Sequence, residues 1–417
     1  MIKGYYTGNI TNTPQTIALL PAPWYWWEAG AMWGALLDYY HYTGDDSYNN
    51  ITTQALLSQV GPLSDFMMPN QQFDEGNDDQ AFWGFATMSA AEKDYPQPMT
   101  GQYSWVQLTE NIWNTQVRRW GMGTCNGGLK WQIFTSNKGY DYKNSISNGG
   151  FFQLSARLAR FTGNQTYYEW AQKSYDWSVG VGLIDADYHV FDGTDDTQNC
   201  TVPNGILWTY NTGVYIYGSA IMYNYTNGSA LWAERTEGFL NASAGYFDPY
   251  GNYSNVMVET ACETVETCNY DEPSFKGYLS RWMWASTLVA PFIKPAVTTL
   301  LEDTALAAAR ACSGGANGVT CGHHWYWQEA YDGQVGVGEQ MSALETIQGL
   351  LVADSVPPLH SNQVHLMSTP GMSTAPLPSP TALLSSPTKR SNGADRVDVS
   401  LWISLGSFLL AVLNIVA

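Results

Sequence analysis

Leu36-Leu37-Asp38-Tyr39-Tyr40-His41-Tyr42-Thr43-Gly44 reads as the end of an apolar helix closed by a Thr-Gly turn, with Tyr48 shortly after. The same pattern returns in Leu154 and Arg157-Leu158-Ala159-Arg160-Phe161-Thr162-Gly163, followed by Tyr167. A looser copy is Ile221-Met222-Tyr223-Asn224-Tyr225-Thr226-Asn227, followed by Trp232. Similarity at a fixed period marks repeated supersecondary units, and these threonines lie about two units and one unit of roughly 60 residues apart. Each unit reads as a helix, a glycine C-cap and a second helix beginning near the aromatic residue. Strand-like alternation is sparse. Six such hairpins fill the chain ahead of residue 356, which predicts an all-α (α/α)6 barrel, a toroid of helical hairpins.

Within this frame, Gly76-Asn77-Asp78-Asp79-Gln80 is followed by the bulky run Ala81-Phe82-Trp83. Two carboxylates held close together cannot ionise equally, so one tends to stay protonated while the other is anionic. An acid beside an anion is what a glycosidase needs, and retaining enzymes hold the two groups about 5–5.5 Å apart. The competing explanation is a solvated Asp-Asp pair favouring a helix N-terminus. A calcium loop starting at Asp74 fails, because its third, sixth and twelfth places hold Gly76, Asp79 and Phe85.

The formal net charge of -19, with only 18 Lys and Arg, argues against nucleic acid as a partner. Charged residues make up 13% of the chain, while Trp and Tyr number 18 and 27. Aromatic rings with neutral polar groups suit sugars, although most of these rings are expected to fill the core and only a handful to line a cleft.

Sequons at Asn9, Asn50, Asn164, Asn199, Asn224, Asn227, Asn241 and Asn252 point to a secreted, N-glycosylated protein. Six cysteines fit that compartment. Short loops favour Cys262–Cys268 and Cys312–Cys321, leaving Cys125–Cys200 as the long bridge. No Cys-x-x-Cys occurs, so no zinc ribbon is expected. The chain opens Met1-Ile2-Lys3-Gly4-Tyr5 without an apolar h-region, so the expectation is that a signal peptide and part of the first helix precede this sequence. Residues 356–392 shift to Pro, Ser and Thr and read as an extended stalk. Residues 393–417 then resemble a GPI-attachment signal: small residues around Asn392, a polar spacer and the apolar tail 401–417. Residues 1–355 are left as one catalytic domain, held to the outer membrane face by a lipid anchor.

Further motifs follow in order: Trp24-Tyr25-Trp26-Trp27-Glu28-Ala29-Gly30 ahead of the aspartates, then Cys125-Asn126-Gly127-Gly128-Leu129-Lys130-Trp131-Gln132, Tyr142-Lys143-Asn144-Ser145-Ile146-Ser147-Asn148-Gly149, Thr209-Tyr210-Asn211-Thr212-Gly213 and Phe275-Lys276-Gly277. Together they resemble glycoside hydrolase family 76, in particular its fungal GPI-anchored cell-wall branch of mannan endo-1,6-alpha-mannosidase-like proteins. The resemblance implies an (α/α)6 barrel and a retaining mechanism on alpha-1,6-linked mannose, in mannan or in the mannose core of GPI glycans. Cell-wall glucan is then a candidate acceptor for a transglycosylase. Carried onto this chain, Asp78 would be the nucleophile and Asp79 the acid/base.

Trp131, Gln132, Asn144, Asn148, Tyr210, Asn211 and Lys276 are subsite candidates, against alternatives of turn packing, capping or plain solvation. His323-His324 lacks matching ligands nearby and reads as surface histidine rather than a metal site. No metal or other cofactor is expected. The rival to an enzyme is a non-catalytic, wall-anchored mannan-binding protein, against which the intact Asp78–Asp79 pair speaks.

Overall fold

The structure, a computed structural model, describes residues 1–8, 16–99, 102–121, 123–247, 255–316, 318–327 and 331–365. All belong to one compact unit, Met1–Pro380; a second unit, Thr381–Ala417, lies outside the described residues. Asn9, Asn252, Asn392 and the apolar tail also lie outside them.

After a short helix α1 (Ile2–Tyr5), long helices follow in pairs. The even-numbered members are α2 (Trp26–Thr43), α4 (Asn77–Glu92), α6 (Ser145–Thr162), α8 (Thr209–Tyr225), α10 (Phe275–Val289) and α12 (Val337–Gln348). Each packs on the next, and α12 returns to α2, so these six close a ring. The odd-numbered members are α3 (Asn49–Ser58), α5 (Trp105–Arg119), α7 (Gln165–Gly180), α9 (Ala230–Ser243) and α11 (Lys294–Ala311), each packed outside its inner partner. This is the expected (α/α)6 barrel. Its inner helices are buried almost all round, as a helix walled by others on every side must be.

The repeated Thr-Gly turn has a clear physical basis. Gly44 and Gly163 take φ of 71° and 72° at the ends of α2 and α6, a left-handed conformation that glycine adopts without steric cost. The preceding hydroxyls bond back one turn: Thr43 Oγ1 to Tyr39 O at 2.7 Å and Thr162 Oγ1 to Leu158 O at 2.6 Å. Thr226 repeats the bond to Met222 O at 2.7 Å. Close approach between inner helices is built in as well. A Cβ on Gly277 of α10 would lie 2.7 Å from the Cα of Ser342 on α12.

Two features depart from a plain toroid. A small antiparallel sheet, β1 (Tyr142–Asn144), β2 (Phe191–Asp195) and β3 (Pro203–Leu207), stands in the order β1-β2-β3 beside the N-terminal ends of α6 and α8. At the other end of the barrel, residues 356–365 do not begin a free stalk but run along the folded unit. Leu359 N donates to Glu92 O at 2.8 Å, and His365 N donates to Asp94 Oδ1 at 2.8 Å. The folded unit therefore extends beyond residue 355.

Three disulfides join Cys125 to Cys200, Cys262 to Cys268 and Cys312 to Cys321. Among the described sequons, Asn50, Asn199, Asn224, Asn227 and Asn241 are exposed, and Asn164 is half-buried as the N-cap of α7.

Candidate active site

A cleft of about 420 Å³ opens where inner helices begin. Its walls carry Tyr25 and Trp27 from the start of α2, and Asp78, Asp79 and Phe82 from α4. Asn144 and Ile146 come from the start of α6, Trp208 and Tyr210 from that of α8, and Phe275 from that of α10. The N-terminal ends of five inner helices thus surround one space, and their dipoles favour negative charge there. Nine aromatic rings line the cleft, more than the handful expected, while the core still takes Trp33, Trp83, Trp105, Trp113, Trp170, Trp232, Trp282 and Trp325.

The Gly-Asn-Asp-Asp-Gln motif divides into two tasks. Asn77 and Gln80 hold the back of the helix: Asn77 Nδ2 donates to Lys130 O at 2.8 Å and Gln80 Nε2 to Asp65 O at 2.7 Å. Arg119 Nε donates to Asn77 Oδ1 at 2.8 Å, and its Nη2 reaches Gln80 Oε1. Asp78 and Asp79 are thereby left to the cleft. Asp79, third in the helix, turns back so that its Oδ2 accepts from Gly76 N at 2.5 Å, half of a capping box.

Asp78 is 8% exposed and carries two donors: Asp79 N to Oδ1 at 3.0 Å and Asn144 Nδ2 to Oδ2 at 2.7 Å. Burial raises its carboxyl to about 6, against the pull of the Asn144 amide. Burial, then the charge of Asp78 beside it, pushes Asp79 well above the usual carboxylate range. At mildly acidic to neutral pH the stable arrangement is an anionic Asp78 next to a protonated Asp79.

The subsite candidates separate into two groups. Trp131 (36% exposed), Gln132, Asn144 and Tyr210 do line the cleft. Gln132 Oε1 accepts from Asn137 Nδ2 at 3.0 Å. Tyr210 stacks flat on Phe275, centroids 3.8 Å apart. Asn144 touches Asp78 itself, and its Oδ1 caps α6 by accepting from Ser147 N at 3.3 Å.

Asn148, Asn211 and Lys276 are not subsite residues. Asn148 is fully buried and spends its amide on Leu129 N, Leu129 O and Asn144 O, tying α6 to the loop before Trp131. Asn211 is fully buried in the barrel wall and does not line the cleft. Lys276 is fully buried, paired with Glu263 and bonded to His323 O at 2.7 Å, over the ring of Trp325. The histidines are also misread as surface groups. His323 lies 3.2 Å from Glu263 Oε1 and His324 2.9 Å from Asp332 Oδ2, both buried. Burial and the neighbouring Lys276 hold His323 well below its usual range, so it is neutral.

Several cleft residues escaped the sequence reading. Asp192 on β2 accepts from Tyr142 OH at 2.7 Å and, through burial, sits above the usual carboxylate range. Asp271 and Glu272 approach from the segment behind the Cys262–Cys268 bridge. With Asp74, Asp78 and Asp79 they bring six carboxylates to the lining, which among the described residues holds no Lys, Arg or His. No local pattern announces Asp192 or Asp271, because only the ring of helices brings them opposite Asp78.

Comparison with known proteins agrees with this geometry. The family model for glycosyl hydrolase family 76 matches residues 1–362. The mannan endo-1,6-alpha-mannosidase DCW1 of Saccharomyces cerevisiae is 44% identical over 86% of this chain and 78% of its own length. The mannan endo-1,6-alpha-mannosidase DFG5 of the same yeast is 41% identical, covering 85% and 76%. The crystal structure of Dfg5 from Chaetomium thermophilum in complex with glucosamine superposes with a TM-score of 0.82 at 39% identity, covering 88% of this chain and 91% of that one. The alpha-1,6-mannanase of Salegentibacter sp. shares the fold, with a TM-score of 0.65 at 20% identity over 84% and 96%. The chain belongs to glycosyl hydrolase family 76.

Proposed function

We propose that this protein is a retaining glycosidase of the mannan endo-1,6-alpha-mannosidase type, with Asp78 as nucleophile and Asp79 as acid/base. The carrying observation is the pair itself. Asn144 and the Asp79 amide hold Asp78 as an anion, while burial and that anion keep Asp79 protonated. Asp79 gives its proton to the glycosidic oxygen as Asp78 attacks the anomeric carbon, the bond to the leaving sugar breaks, and a mannosyl ester forms on Asp78. Asp79, now anionic, takes a proton from water or from a sugar hydroxyl, which displaces Asp78 and restores both groups. Curated relatives named for this activity support the reading.

For the donor, the six carboxylates and the lack of cations among the described lining residues favour a glycan that carries a protonated amine, as the glucosamine of a GPI core does, over plain mannan. The glucosamine complex of the Chaetomium relative is in keeping with this. A cell-wall glucan as acceptor would make the enzyme a transglycosylase in wall biogenesis. In this reading the protein is secreted and N-glycosylated. Residues from 366 to Asn392 are a stalk, and a GPI anchor at Asn392 holds it to the outer membrane face.

The deciding experiment gives wild type, Asp78→Asn and Asp79→Asn an alpha-1,6-mannotriose or GPI-core donor, with and without a glucan acceptor, and follows product anomers by NMR. Retained configuration with transfer to glucan identifies a transglycosylase, and free sugar alone a hydrolase. Wild-type turnover in both variants would overturn the assignment of roles to Asp78 and Asp79, and binding without turnover by wild type would favour a mannan-binding wall protein. Release by a GPI-specific phospholipase tests the anchor.

A further inference from the structure

Lys143 is fully buried at the centre of β1, between two cleft residues. Side chains alternate across a strand, so Tyr142 and Asn144 serve the cleft while Lys143 points the other way. Its Nζ lies 2.6 Å from Gly127 O, 3.0 Å from Thr124 O and 3.2 Å from Gly128 O. An ammonium has three donors, and all three are spent on the carbonyls of one turn.

That turn is strained and central. Cys125, Asn126, Gly127 and Gly128 all have positive φ. A Cβ at Gly128 would lie 2.2 Å from the Trp177 ring, so the turn has little room to rearrange. It leads directly into Trp131 and Gln132. Trp131 N donates to Tyr142 O at 2.6 Å, and Trp131 O accepts from Asn77 N at 2.8 Å, one residue before Asp78. Turn, strand and catalytic helix are thus one hydrogen-bonded unit whose common centre is the Lys143 ammonium. Without it, Gly127 O loses its Lys143 donor, while Thr124 O and Gly128 O keep only the backbone bonds from Gly127 N at 3.3 Å and Gly121 N at 3.1 Å.

We propose that Lys143 is a positioning residue that holds the turn at residues 124–128, and through it Trp131 and Gln132, in the geometry that binds sugar beside the Asp78–Asp79 pair. This rests on the reading of the cleft as a mannoside site. The charged groups facing Lys143 are Asp196, which accepts from Thr124 Oγ1 at 2.9 Å and pairs with Lys130 at 2.5 Å, and Lys130 itself; the ring of Trp177 lies 5.8 Å away. Burial lowers the ammonium to about 8, with Asp196 opposing and Lys130 adding to the shift. Sugar binding should therefore weaken above that pH for a reason separate from the aspartates.

The test titrates the Asp78→Asn protein, which needs no chemistry, with alpha-1,6-mannotriose between pH 6 and 9. The expected result is a Kd that rises about tenfold between pH 7 and 9, the scale of one or two lost hydrogen bonds. Adding Lys143→Met should give a Kd already raised at pH 6 and flat thereafter. A merely structural lysine would lower Tm without producing this pH dependence. If the Lys143→Met protein does not fold, adding Asp196→Asn to Asp78→Asn should move the midpoint of the rise to lower pH. A Kd independent of pH, or the same rise with and without Lys143, overturns the proposal. Absence of mannotriose binding at every pH overturns it together with the reading of the cleft.

Discussion

Asn144 Nδ2 stands 2.7 Å from Asp78 Oδ2, while the other end of the same amide caps α6 through Ser147 N. The amide cannot flip without losing both bonds, so its donor is committed to Asp78. Asn144 is therefore less a sugar contact than a donor that stabilises the anionic form of Asp78, the proposed nucleophile.

Replacing it tests that role. Asn144→Ala should lower kcat by about 10- to 100-fold, as expected for one hydrogen bond to a charged group worth about 1.5–3 kcal/mol. It should also move the acid limb of kcat/KM upward, because Asp78 loses a donor that favours its anion. A variant with an unmoved limb and an unchanged kcat would remove Asn144 from control of Asp78.

The pH profile of the wild type should be bell-shaped. The acid limb falls near the value of about 6 to which burial raises Asp78, and the alkaline limb well above it, where Asp79 loses its proton. Both limbs belong to the coupled pair rather than to either residue. Initial-rate measurements from pH 3 to 9 decide this, and activity that keeps rising below pH 4 would contradict it.

Stability should run the opposite way to catalysis at this pair. A carboxyl whose folded pKa is raised contributes stability that is complete below its unfolded value and lost as pH rises through the folded one. For Asp78 that window runs from about 4 to about 6. Asp78→Asn should therefore gain about 1–3 kcal/mol over wild type at pH 7 and little at pH 3.5. Denaturant melts at the two pH values would show it.

Lys276 offers a contrast. Its charge is fully buried against Glu263, and removing one partner of such a pair typically costs about 3–5 kcal/mol. Lys276→Met should lower the melting temperature steeply while leaving KM for alpha-1,6-mannotriose within about twofold, as fits a residue outside the site. A rise in KM without loss of stability would restore it to the subsite.

Reduction of the longest bridge should weigh on both folding and binding. Cys125 and Cys200 are 75 residues apart, for which the chain-entropy model gives on the order of 4–5 kcal/mol. Cys200→Ser should unfold at clearly lower denaturant concentration than Cys268→Ser, whose loop spans only 6 residues.

What the sequence determined on its own was what is local or periodic. The Thr-Gly ends of α2 and α6 were legible because the helix stop depends on a glycine at positive φ and a hydroxyl four residues from its carbonyl, all within one short segment. Asp78 and Asp79 were legible because adjacency alone forces their coupling. The ring closure by α12 on α2 was visible only through the repeat and the family motifs, whereas the sharing of one cleft by five helix starts came from the tertiary structure alone. The roles of single polar residues were decided by tertiary structure. Asn148 and Lys276 look from the sequence like Asn144, polar groups inside shared motifs, yet one binds backbone and the other a buried glutamate. Asp192 and Asp271 carry no signal at all. The physical reason is that a polar side chain acquires its function from what lies opposite it, and in a toroid the opposite partner comes from another helix far away in the chain.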